Sequence, residues 1–268
     1  MSLSNTELDF FDENGYVGPF TLFSEKDAFK YIKVINSEKF TKKYPYLDID
    51  SPYKEPRLRC FNTHLYDPSI YDLASSPIIL DKIEQLMGPN FLLWRTIFII
   101  KPPNSGSVAW HKDIYGENDN MGNFSCWVAL NDATEENGCL EFVKGSHKET
   151  ITQKEMYRDE EYLKKTVLSP YLLPPPGMDA RRIVKQPLKT GEFVIFDQRT
   201  LHGSAANISS GDRKGLVIRY VPIDLAKELK SPCMLMRGSS GKQRFLSPPS
   251  KNWLLKTMRK YRCRRMPR

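Results

Sequence analysis

Apolar and polar positions change their period once along the chain. Over the first ninety residues they recur at helical spacing. SNTELDFFDENGY, beginning at Ser4, has a capping-type start (Ser4 or Asn5, then Glu7), apolar residues at Leu8, Phe10 and Phe11, and a stop at Gly15. SEKDAFKYIKVINSEKF, residues 24–40, spaces Phe29, Ile32 and Ile35 at three-residue intervals, which predicts a helix burying that face. SPIILDKIEQLMGPN, residues 76–90, reads as a third helix closed by Gly88-Pro89.

From residue 91 the period shortens. FLLWRTIFIIKPP, VAWHKD, FSCWVALND, GCLEFVKGS, GEFVIFD and GLVIRYVP are short β-rich runs bounded by Gly, Pro, Asn and Asp. GEFVIFDQRTLHGS reads as a strand, a short turn and a second strand with His202 near its start. Strands following a helical start predict a mainly β fold with flanking α: a two-sheet antiparallel barrel or sandwich with helices on one side. The expected organisation is a single domain over 1–268. It has a helical part at about 1–90, a β core at about 91–225 and a basic tail at about 252–268. The stretch 149–190, charged and then carrying Pro174-Pro175-Pro176-Gly177, is too long for a tight hairpin and reads as a lid or crossing loop, partly helical at 153–166.

Composition narrows the class. Apolar residues make up 40% and charged residues 27%, as in a globular protein, and no run of about 18 apolar residues is present to span a membrane. The acidic start, MSLSNTELDFFDENGY, lacks the apolar centre of a signal peptide. Five scattered cysteines without a CxxC pair suit reduced thiols in a cytoplasm, with Cys126 and Cys139 as small buried hydrophobes. The net charge of +8 is concentrated in KTMRKYRCRRMPR, residues 256–268, which holds seven Lys/Arg and no acid. No nucleic-acid motif accompanies it, and no nucleic-acid partner is expected.

Of the four histidines, His111 sits in WHKDIYG one residue from Asp113. If VAWHKD is a strand end, alternation turns His111 and Asp113 to one side and Lys112 to the other. A third ligand must come from elsewhere, and His202 is the best placed. Two histidines and one carboxylate on one face of a metal leave positions open, as in non-haem Fe(II) oxygenases; zinc sites of this type exist as well. His64 and His147 have no partner nearby in the sequence and read as structural or exposed. Arg213, eleven residues past His202 at the entry to the last strong strand, can fork a carboxylate, and Ser204 faces the same side as His202.

HKD, then WVALNDATEENGCLEFVKGSH, LHGSAAN and DRKGLVIRY, in that order, together resemble the phytanoyl-CoA dioxygenase (PhyH) family of Fe(II)/2-oxoglutarate oxygenases; the start ELDFFDENGYV resembles that family's opening helix and turn. The similarity covers about residues 5–225. It implies a double-stranded β-helix (jelly-roll, cupin-like) core. It also implies Fe(II) on His111, Asp113 and His202, with 2-oxoglutarate and O₂ as cosubstrates. By the same resemblance Arg213 pairs with the distal carboxylate of 2-oxoglutarate, Ser204 adds a second contact and Trp127 lines that pocket. Gly215 departs from the pattern, since a small hydroxyl often follows the arginine by two. The aspartate that related halogenases lack is present as Asp113, so the resemblance favours hydroxylation of an unactivated C–H, with 2-oxoglutarate giving succinate and CO₂. Desaturation or oxidative cyclisation is the alternative on the same iron.

Arg219 shares a strand face with Arg213, Gly215 and Val217, so it either pairs with an acid in the barrel or holds substrate. Tyr115 and Lys112 fall near the pocket mouth by position, and Arg181, with Arg182, hangs from the lid. These basic residues point to a small-molecule substrate with a carboxylate or similar group, such as an amino acid or biosynthetic intermediate. Outside the oxygenase reading stand a metal-dependent hydrolase or isomerase, which would not need Arg213, and a non-catalytic jelly-roll binding module.

Overall fold

A computed structural model of the chain describes residues 2–37, 59–113, 122–150, 171–175, 177–227 and 232–239, with single positions at 165, 169, 229, 245, 246 and 248. The expected helix at 153–166 (Lys165 apart), the basic tail and Tyr115 lie outside them.

Helix α1 spans Asn5–Asn14. Ser4 caps it in a full capping box with Glu7, and Gly15 ends it at φ 83°. A side chain at Gly15 would overlap Thr200 Oγ1 and His147 Nδ1, so the turn needs glycine for both space and conformation. Helix α2, Glu25–Ile35, buries Ala28, Tyr31 and Ile35, and Phe29 is 77% exposed. The expected face is therefore rotated by one position. Both stripes contain Ile35, and the contact of Tyr31 with Phe23, at 5.1 Å between ring centroids, accompanies the observed one. Helix α3, Pro68–Ala74, was not expected; Asp67 caps it and Pro68 fills its first turn. Helix α4, Pro77–Met87, ends at Gly88 as the sequence indicates.

The strands are β1 Tyr16–Thr21, β2 Arg59–Phe61, β3 Phe91–Lys101, β4 Val108–His111, β5 Phe124–Ala129 and β6 Leu140–Val143. They continue with β7 Ile183–Gln186, β8 Glu192–Asp197, β9 His202–Ser204, β10 Arg213–Pro222 and β11 Met234–Arg237. One sheet runs β1-β8-β5-β10-β3-β11, with β2 also on β3; the other runs β4-β9-β6-β7. All pairings are antiparallel, the jelly-roll arrangement.

The core is wider than residues 91–225. Strand β1 pairs with β8 and β11 with β3, so segments on both sides of that range enter the large sheet. The stretch 149–190 is not all lid: β7 pairs with β6, and Leu188 bridges to Ala133.

Alternation assigns the two faces of the large sheet. Phe98, Ile100, Phe124, Cys126, Val128, Phe193, Ile195, Leu216 and Ile218 face the helices and join Phe11, Tyr31, Ile70 and Ile83 in the main core. The opposite face looks at the small sheet across Ile97, Trp127, Val194, Phe196, Val217 and Phe142. That interior face also carries Arg95 and Lys101 of β3 and Arg213 and Arg219 of β10, and it holds the site. No described helix is long and apolar enough to cross a membrane.

Candidate metal centre and anion pocket

His111 and His202 are direct partners across the β4–β9 pair, which brings their rings to 4.2 Å between centroids. Each imidazole is oriented in the same way: Nδ1 of His111 meets Ala109 O at 2.9 Å, and Nδ1 of His202 meets Thr200 O at 2.9 Å. A carbonyl only accepts, so the proton sits on Nδ1 and Nε2 presents its lone pair. Both Nε2 atoms face Asp113 Oδ1 at 3.8 Å. Asp113, just past the strand end, is anchored by its own N–H on Gln198 O at 2.8 Å. One ligand atom from each of the three residues lies within 4.8 Å of the others, so the donor set fits a single metal ion.

The protonation states suit that use. Burial pushes the Asp113 pKa up, but the Arg219 guanidinium, His202, His111 and the Ser125 hydroxyl together hold it below the ordinary carboxylate range. Burial lowers the His202 pKa, against a smaller opposing effect of Asp113, and favours the neutral, ligating imidazole. Ser125 Oγ donates to Asp113 Oδ2 at 3.1 Å, and Arg219 donates to Asp113 Oδ1.

A second set of charges lies further along the interior face. Arg213 and Lys101 are cross-strand partners, both fully buried. Arg213 Nη1 donates to Gly138 O at 2.6 Å, and its guanidinium lies 5.1 Å from the Trp127 ring centroid. Lys101 Nζ donates to Ser204 Oγ at 3.1 Å and to Ala205 O. The indole N–H of Trp127 is buried without an acceptor among the described residues. Two buried cations, a hydroxyl and an unused N–H fit the carboxylate of a dicarboxylic acid. The Gly215 departure has a steric cause, since a side chain there would overlap the Trp127 indole.

The remaining residues singled out in the sequence fall elsewhere. Lys112 turns away from the triad, is buried, and donates to Glu149 O at 2.8 Å; it is not a group at the pocket mouth. Arg181, 90% exposed in its side chain, is bound to Asp179, and Arg182 bonds Lys144 O and Glu149, so neither is brought to the triad. Arg219 does pair with an acid, and the acid is Asp113. His64 and His147 are buried: His64 Nδ1 meets Thr96 Oγ1 at 2.9 Å and His147 Nε2 meets Asp12 O at 3.0 Å. Trp110 is buried and donates to Leu173 O at 2.8 Å.

Sequence reading missed Lys101, Arg95, Ser125 and Gln198. Lys101 and Arg95 had a usable signal, because charges at alternating positions in the apolar run FLLWRTIFIIK must share one face.

A double-stranded β-helix with two histidines and a carboxylate on one interior face, and a buried lysine–arginine pair further along it, defines a jelly-roll protein of the non-haem metal-site class. The chain belongs to the phytanoyl-CoA dioxygenase (PhyH) family, whose model matches residues 11–215. It is 30% identical over 153 residues to a phytanoyl-CoA dioxygenase domain-containing protein 1 of Danio rerio, covering 56% of this chain and 52% of that one. It is 26% identical over 238 residues to an ectoine dioxygenase of Bordetella parapertussis, covering 82% and 75%. The chain spans about half the length of several curated relatives it matches. Among solved structures, a non-heme monooxygenase in a nickel complex superposes with TM-score 0.67 at 21% identity, over 94% of this chain and 92% of that one, which shows the shared fold.

Proposed function

We propose that the protein is an Fe(II)/2-oxoglutarate-dependent dioxygenase that hydroxylates an unactivated C–H of a small molecule. The observation that carries this reading is the shared interior face: two histidines with Nε2 presented, an ionised Asp113, and the buried Lys101–Arg213 pair. Family membership supports it, as does the relative named for a small molecule, ectoine.

Bound Fe(II) would supply O₂ activation coupled to conversion of 2-oxoglutarate to succinate and CO₂. The chain's own share is positioning. His111 and His202 keep the ligating tautomer through their carbonyl bonds, and Ser125 orients Asp113. Arg213 and Lys101 hold the distal carboxylate, with Ser204 and the Trp127 N–H beside them. Ile97, Val217 and Phe196 keep water from the wall between the sheets. Desaturation or ring closure would use the same residues.

We read the chain as one oxygenase domain, because strands from Tyr16–Thr21 to Met234–Arg237 enter one sheet. The cytoplasm suits it, since Cys126 and Cys139 are buried free thiols.

The test is anaerobic addition of Fe(II) and 2-oxoglutarate together. A weak visible charge-transfer band, and succinate on admitting air, are expected. No band together with no succinate overturns the reading.

A further inference from the structure

The two metal-site histidines take their orienting bonds from different kinds of backbone. Ala109, which accepts from His111, lies inside strand β4. Thr200, which accepts from His202, lies in the turn between β8 and β9, outside both strands.

That turn is held from two sides. The peptide group joining Thr200 to Leu201 offers its carbonyl to His202, and its N–H donates to Ser146 Oγ at 2.8 Å. Ser146 Oγ donates in turn to Val143 O at 2.7 Å, and the Val143 N–H returns to Leu201 O at 3.0 Å. Ser146 is fully buried and opens the 3-10 turn Ser146–Lys148. On the other side, Thr200 Oγ1 donates to Gly15 O at 2.9 Å, an oxygen that also accepts the Asp197 N–H at 2.9 Å. Gly15 ends α1, and the Asp12 carbonyl in the last turn of that helix accepts from His147 Nε2 at 3.0 Å.

A peptide group is planar, so fixing the Leu201 N–H on Ser146 also fixes the Thr200 carbonyl that points the opposite way. The bonds also run in one sense, from His202 Nδ1 through the peptide and Ser146 Oγ to Val143 O. Hydrogen bonds in series polarise one another, and this series favours the proton on Nδ1 and the lone pair on Nε2.

We propose that Ser146 and Thr200 are positioning residues for the metal ligand His202, setting its tautomer and the direction of its Nε2. The inference rests on the metal-binding part of the dioxygenase reading and adds the residues that prepare this ligand. Both act through the one peptide group between Thr200 and Leu201. Through them the end of α1 and the turn at 146–148 are tied to the metal centre.

The experiment uses the whole chain carrying isotopically labelled histidine. Its four histidines give four imidazole patterns, with His111→Gln and His202→Gln assigning two of them. Proton–nitrogen correlation spectra of the metal-free chain at mildly alkaline pH, where the rings are neutral, show which nitrogen holds each proton. Zinc(II) affinity is read by equilibrium titration. In the wild type His111 and His202 should both carry the proton on Nδ1. Ser146→Ala and Thr200→Val should each weaken zinc by about tenfold, the scale for losing a partner that orients a ligand. In both, the His202 pattern should move toward mixed tautomers while that of His111 stays. Thr200→Ser, which keeps the hydroxyl, should return zinc affinity to within about threefold of wild type.

A wild-type His202 protonated on Nε2 overturns the inference, whether or not the variants fold. Unchanged zinc affinity in folded Ser146→Ala and Thr200→Val overturns it too, as does a Thr200→Ser variant no tighter than Thr200→Val. Equal changes at His111 and His202 would mean a general loosening and overturn it as well. Failure of the wild-type chain to bind zinc sinks the metal-site reading instead, so the two failures are distinguishable.

Discussion

Arg219 donates a hydrogen bond to Oδ1 of Asp113, the same oxygen that faces Nε2 of His111 and of His202 at 3.8 Å each. A divalent ion entering the triad takes that oxygen, so guanidinium and ion compete for one acceptor. Arg219→Gln removes a positive charge beside the ion, and Ser125 still holds Oδ2. Zinc(II) should bind this variant about tenfold tighter than wild type by equilibrium titration. Ser125→Ala should weaken binding by about tenfold, as loss of an orienting partner does. Weaker zinc binding in Arg219→Gln would mean that the arginine holds the carboxylate in place rather than competing for it.

The Lys101–Arg213 pair separates cosubstrate binding from metal binding. Arg213→Met should weaken 2-oxoglutarate by about a hundredfold and leave zinc affinity unchanged, both read by calorimetry. Arg213→Lys should recover little, because a point charge lacks the fork. Lys101→Met should cost about tenfold. If Arg213→Met turns over a substrate at the wild-type rate without 2-oxoglutarate, the site belongs to a hydrolase or isomerase.

Much of this was legible in the residues. The α1 capping box, the Gly88 stop and the six apolar runs are local signals, and each became the element it indicated. His111, Asp113 and His202 could be grouped because a short strand end and a strand start carry direction. What stayed hidden depends on partners distant in sequence. Strand β1 contains Gly18-Pro19, which argues against a strand until its edge position excuses the missing N–H. Strand β7 is four residues inside a polar stretch and is fixed by β6. For α2, stripes through Phe29 and through Ala28 both satisfy the helical period, and only tertiary packing selects between them. Lys101 and Arg95 read as the charged end and interruption of an apolar run until β10 sets arginines opposite them.

Trp127 and Gly215 share one volume, and this makes a stability prediction. Gly215→Ser drives its side chain into the indole, an overpacking that costs about 1–3 kcal/mol. Trp127→Leu alone opens a cavity and should cost a comparable or larger amount. The double variant should be more stable than the sum of the two losses predicts, by about 1 kcal/mol or more in urea unfolding. Additive losses would mean that the backbone, rather than the indole, excludes a side chain at 215.

His64 gives the fold a pH dependence of definite sign. Burial lowers its pKa from 6.5 to about 3. Its Nδ1 is 2.9 Å from Thr96 Oγ1, and Nε2 is buried with no hydrogen-bond partner among the described residues. A proton added there finds no carboxylate among the described residues, whereas the unfolded chain accepts one near 6.5. The unfolded state therefore binds more protons between pH 6.5 and about 3, and stability falls as pH falls through that window. From pH 7 to pH 5 this group should remove about 2 kcal/mol of unfolding free energy, read from urea titrations at the two values. His64→Gln will be less stable at neutral pH, but its loss between pH 7 and pH 5 should be smaller than the wild type's by that amount. His147 and His202, whose pKa values burial also lowers, act with the same sign and remain in the variant, so they cancel from the difference. Equal losses in the two proteins would mean that His64 takes up its proton in the folded state, with water or an acid reaching Nε2.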